Sequence, residues 1–104
     1  MNKIPYEERE KVYTAAVNTF GEKAQIVVAL EELSECQKEL CKFLRGIGNA
    51  GNLAEEIADA TIMLEQMRMI FGLNELVCEK MDQKIRRLDE RLARCSANGE
   101  TVME

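Results

Sequence analysis

Pro5 and the glycines at 21, 46, 48, 51, 72 and 99 cut this chain into four stretches of helical length, and that punctuation limits its architecture more than any other feature. Four helices are predicted, over residues 6–19, 22–45, 53–71 and 74–96, with the last few residues frayed. Little between them favours strands, since only 5% of the chain is aromatic and there is no Trp. At 104 residues it is long enough for one core, so residues 1–104 are read as a single all-α domain.

Apolar periodicity supports this reading. In the second segment Ile26, Leu30, Leu33, Gln37, Leu40 and Leu44 recur at steps of three and four, the stripe a helix turns toward a core. In the fourth, Met81, Ile85, Leu88, Leu92 and Cys95 follow the 4-3-4-3 spacing of a helix packed on another helix. The third segment has one stripe of Leu53, Ile57, Ala60, Leu64 and Phe71, and a neighbouring apolar face of Met63, Met67 and Ile70. A chain this short has too little material to wrap one of its own helices so fully, so a second copy is expected to complete a four-helix bundle-like fold. Between segments two and three, Gly46-Ile47-Gly48-Asn49-Ala50-Gly51-Asn52 lacks the strand and Gly-Lys-Ser/Thr ending of a phosphate loop, and Asn52 with Glu55 is read as a capping pair.

Several classes of function are disfavoured. A net charge of −5 argues against nucleic-acid backbones as the main partner. The absence of His, and of any CxxC among Cys36, Cys41, Cys78 and Cys95, argues against structural zinc, and the cysteines are read as small core residues. No apolar run approaches the length that spans a bilayer and no signal core stands at the start, so no membrane partner is expected, and a cytoplasmic setting with reduced thiols is.

Two acidic clusters interrupt the apolar pattern: Glu31-Glu32-Leu33-Ser34-Glu35 and Glu55-Glu56-Ile57-Ala58-Asp59. A three-residue step puts Glu32 with Glu35, and Glu56 with Asp59, on one helix face. The Glu56/Asp59 face runs on into Met63, Met67 and Ile70, so these carboxylates are expected to be partly buried. Buried carboxylates must be neutralised by protons, basic partners or a cation. Four of them, from antiparallel neighbours joined by a short turn, converging on one point would suit a hard ion, Mg2+ or Mn2+. The competing reading is a solvated face bridged to Lys38 and Lys42.

On the fourth segment Lys80, Lys84, Arg87, Arg91 and Arg94 each precede a stripe residue by one and form a basic ridge. Residues 80–94 hold six Lys/Arg against three Asp/Glu, whereas residues 31–59 hold seven acids against three bases, so the two regions should attract. The ridge either flanks the core and offsets the helix dipole, or lets Lys84 and Arg87 reach the phosphate oxygens of a substrate.

Glu31-Glu32-x-x-Glu35, twenty residues, then Glu56-x-x-Asp59 resembles the EExxE…ExxD signature of MazG-like nucleoside triphosphate pyrophosphohydrolases. Gly21-Glu22-Lys23-Ala24-Gln25, Phe43-Leu44-Arg45-Gly46 and the run Asn52 to Asp59 look like the compact single-domain members, and the resemblance covers about residues 20–95. It implies an all-α fold that binds Mg2+ between two helices and associates as dimers or dimers of dimers. It further implies hydrolysis of nucleoside triphosphates, in standard, deoxy or non-standard forms, to the monophosphate and pyrophosphate. By motif, Glu32, Glu35, Glu56 and Asp59 would ligate metal and Glu31 would assist, either at a second ion or as the base on the attacking water. The family's C-terminal lysine motif is matched only loosely, at Lys84-Ile85-Arg86-Arg87. The alternative is a non-catalytic helical module whose fourth-helix stripe binds a partner helix. Tyr6, Tyr13 and Phe20 are read either as base-stacking or as core aromatics.

Overall fold

The structure is a computed structural model that describes residues 3–98. Gly99 and the tail expected to fray lie outside the described residues, which hold four α-helices and no strand. Helix α1 spans Tyr6–Phe20, α2 Glu22–Leu44, α3 Ala50–Ile70 and α4 Asn74–Asn98. They fall into two units, α1–α3 and α4. No helix among the described residues is long and apolar enough to cross a membrane.

Local chemistry explains the boundaries. Pro5 precedes α1 in extended backbone, its carbonyl accepts from the N–H groups of Glu8 and Arg9, and Glu7 and Glu8 face the positive end of the helix dipole. A single residue, Gly21 at φ 93 and ψ 150, ends α1 and starts α2, in backbone that only glycine adopts without strain. Helix α2 closes on a Schellman motif: the Gly46 N–H donates to the Phe43 carbonyl and the Ile47 N–H to the Lys42 carbonyl, both at 3.0 Å.

Helix α3 starts three residues before the expected position. Its cap is Asn49, not Asn52: the Asn49 side chain accepts from the Asn52 N–H at 3.0 Å in extended backbone (φ −125). Gly51 therefore sits inside the first turn, where it is tolerated at about 1 kcal/mol relative to Ala. Gly48 has a separate reason, since a Cβ there would overlap the Phe43 ring.

In the α1–α3 unit, Gln25 meets Gln66 and Glu32 meets Asp59, so α3 runs back along α2. Arg9 meets Glu65 and Thr14 meets Met69, so α1 runs alongside α3 in the same direction. The interior consists of Tyr13, Ala29, Ala60 and Met63 with the polar side chains Gln25, Glu39 and Gln66.

That composition corrects the expected stripes. On α2, Leu30, Leu33, Leu40 and Leu44 are 40–90% exposed, and the row turned inward is Gln25, Ala29, Glu32, Cys36 and Glu39. On α3, Ile57, Leu64 and Phe71 are exposed, whereas Glu56, Ala60, Met63, Met67 and Ile70 lie inward, the continuation expected of the Glu56 face. The two helices meet where Ala29 and Ala60 are small and the Gln25 and Gln66 amides pair, a polar row that apolar periodicity does not register. Nor are the cysteines core residues: Cys36 and Cys95 are half-buried, Cys41 and Cys78 exposed.

Helix α4 forms its own unit. Met81, Ile85 and Leu92 of its expected stripe are exposed, and Leu88 and Cys95 are half-buried.

Candidate metal centre

Antiparallel packing of α2 on α3 places the two acidic clusters opposite one another. One carboxylate oxygen from each of Glu32, Glu56 and Asp59 lies within 4.8 Å of the others, with Glu32 and Glu56 half-buried and Asp59 exposed. Around an octahedral Mg2+ with ligands at about 2.0–2.1 Å, neighbouring oxygens stand about 3 Å apart and opposite ones about 4 Å, so small side-chain rotations would seat an ion. The donor set is all oxygen, which suits a hard cation.

Electrostatics favour neutralisation of this group. The Glu32 carboxyl is pushed above the ordinary value of 4.5 by partial burial first, then by the charges of Asp59 and Glu56, a hydrogen bond with Asp59, and Glu35. Glu56 is pushed up by partial burial, then by Asp59, Glu35, Glu39 and Glu55. Its Oε2 atom is buried and makes no hydrogen bond. Such an oxygen meets its missing partner in a cation or a proton.

The structure therefore brings together three of the four expected ligands. Glu35 stands outside the trio and exposed, though its charge acts on both Glu32 and Glu56. Glu31 is exposed beside Glu32 on α2. Lys84 and Arg87 are exposed on α4, where with Arg91 they surround Leu88.

Sequence reasoning missed Glu39. Only 8% of this residue is exposed; its Oε1 accepts from Lys42 Nζ at 3.0 Å, and its Oε2 is buried without a partner. The signal was available, because Glu39 lies seven residues after Glu32 and four after Glu35, two turns along the same face.

On the α1 side of α3 the Tyr13 hydroxyl donates to Glu65, and Arg9 pairs with the same carboxylate at 3.0 Å. Burial, then Glu65, push Tyr13 up from 10.0 to about 12. Tyr13 is thus a core aromatic, while Tyr6 and Phe20 are exposed. A cavity of about 640 Å3 opens here, its apolar lining drawn from Ile4, Val12, Tyr13, Ala58 and Ile62, with Lys3, Arg9, Thr61 and Glu65 as polar groups. Its α3 wall, Ala58, Thr61, Ile62 and Glu65, is a different row of the helix from the one that carries Glu56 and Asp59.

No family model matches this chain, no curated protein matches it, and no solved structure matches it.

Proposed function

We propose that this protein is a divalent-metal-dependent nucleoside triphosphate pyrophosphohydrolase, with Mg2+ or Mn2+ held by Glu32, Glu56 and Asp59 and completed by Glu35. The convergence of three carboxylates from two helices, one with a buried and unpartnered oxygen, carries this reading. The resemblance of their spacing to the MazG-like signature supports it.

A bound ion supplies neutralisation of the triphosphate and a water of lowered pKa. In this reading the chain's residues divide the remaining work. Glu32, Glu56 and Asp59 fix the ion, and Glu31 takes the proton of the water that attacks the α-phosphorus. Bond formation from water to the α-phosphorus breaks its link to the β-phosphate, and pyrophosphate leaves.

The test is direct. Purified protein with Mg2+ and a panel of ribo- and deoxynucleoside triphosphates should release pyrophosphate, and Glu56→Gln or Asp59→Asn should abolish release while the far-UV circular dichroism stays helical. Release of orthophosphate, or equal turnover by the variants, would overturn the assignment. A second reading, a non-catalytic helical module, draws on the exposed row of α4. Such a protein would show neither turnover nor a gain in thermal stability with Mg2+.

A further inference from the structure

Helix α4 carries more information than its apolar row. Setting Met81 at position d of a heptad puts Cys78, Ile85 and Leu92 at a, and Leu88 and Cys95 at d. The positions that flank this seam then sort by sign: e holds Asp82 and Asp89, while g holds Lys84 and Arg91. All four side chains lie on an unbroken helix of 25 residues, about 37 Å long, whose Met81, Ile85 and Leu92 are 48–60% exposed.

Flanking charge decides which way two such helices can pair. In a parallel pair, g of one helix meets e of the following heptad on the other, which sets Lys84 against Asp89 of the second copy, twice by symmetry. In an antiparallel pair g meets g and e meets e, so Lys84 and Arg91 would face basic residues, and Asp82 and Asp89 would face acidic ones. β-Branched Ile85 at a with Leu88 at d also suits two parallel strands.

We propose that α4 associates with α4 of a second copy as a parallel, in-register two-stranded coiled coil. This pairing does not depend on the metal centre. Its layers are Cys78, Met81, Ile85, Leu88, Leu92 and Cys95, each against its own counterpart, and the ridge formed by Lys80, Arg87 and Arg94 remains outside the seam.

The cysteines at both ends of the seam make orientation measurable in the full-length chain. Parallel pairing sets Cys78 beside Cys78 and Cys95 beside Cys95, whereas the in-register antiparallel arrangement sets Cys78 beside Cys95. One variant keeps only Cys95 (Cys36→Ser, Cys41→Ser, Cys78→Ser), a second keeps only Cys78, and a third keeps only Cys41 on α2 as the collision control. With oxidised glutathione as oxidant, two thiols are joined as one disulfide and their electrons and protons leave on two molecules of glutathione. The Cys78-only and Cys95-only chains should form covalent dimers about 100-fold faster than the Cys41-only chain, because neighbours held in a pair meet at millimolar effective concentration.

Asp89→Lys reads the same geometry by sign. It turns two symmetry-related attractions into repulsions, so sedimentation equilibrium at low salt should show a dimer dissociation constant raised about tenfold. Single-cysteine chains that cross-link no faster than the control would overturn the proposal. So would covalent dimers that require both Cys78 and Cys95, or a dimer that Asp89→Lys leaves unchanged or tightens.

Discussion

The Gln25–Gln66 pair offers the sharpest test of how the α1–α3 unit is held. Gln66 Nε2 donates to Gln25 Oε1 at 2.7 Å, with Gln66 2% and Gln25 7% exposed. Methionine nearly matches glutamine in volume, so Gln25→Met leaves the packing in place but strands the Gln66 amide. An unsatisfied buried amide costs about 1–3 kcal/mol, whereas replacing both partners with apolar groups of the same shape is close to neutral. Either single variant should therefore lose about 2 kcal/mol, or about 8–16 °C in Tm for a unit of this size. The double variant should recover to within about 1 kcal/mol of the parent, a coupling that a double-mutant cycle by chemical denaturation reads directly. The pair lies seven residues from Glu32, about 10 Å along α2, and sets the register that brings Glu32 to Asp59. Single variants whose losses simply add in the double variant would refute the reasoning, because the amides would then contribute volume and nothing more.

Three further outcomes follow from geometry already described. Glu32 and Glu56 hold protons more tightly in the folded chain, so metal-free stability should fall as pH rises from 4.5 through their raised range; Asp59→Asn should flatten that fall, and a flat wild-type profile would contradict the assigned burial. Tyr13, also raised, keeps its contribution below pH 10 and loses it as pH climbs through about 12; in a Tyr6→Phe chain its phenolate absorbance should appear near 12, move down with Glu65→Gln, and refute the contact if it appears at 10.0. Gly21→Ala should cost about 1–3 kcal/mol in thermal melts although nothing lies within 4 Å of the added methyl, since the penalty is in the backbone at φ 93; no loss would mean the junction relaxes freely.

Much of the architecture was legible in the residues. Glycine and proline punctuation placed every helix end within one or two residues apart from the start of α3, where Asn49 and Asn52 are both competent caps and only the backbone angles select the first. The pairing of Glu32 with Glu56 and Asp59 was legible because a three-residue step fixes a helix face, and a short turn makes the helices neighbours. Which row of α2 faces inward was not legible. Apolar periodicity found Leu30, Leu33, Leu40 and Leu44, but the inward row is held by an amide pair and carboxylates, whose favourable terms depend on partners far along the chain. The link from Arg9 and Tyr13 to Glu65 was hidden for the same reason, since it exists only once α1 lies alongside α3.

The leucines on the outer side of α2 carry a consequence for solution behaviour. Leu30, Leu33, Leu40 and Leu44 retain 64%, 40%, 50% and 90% of their surface in contact with water. At about 1.5–3 kcal/mol for each fully desolvated leucine, on the order of 4–7 kcal/mol of hydrophobic stabilisation is left unrealised along a single helix. Any second apolar surface laid over them would add a term comparable to the whole stability of a small fold. Dilution would then act on such a molecule as a mild denaturant, and its melting temperature would be a property of the sample's concentration as much as of its sequence.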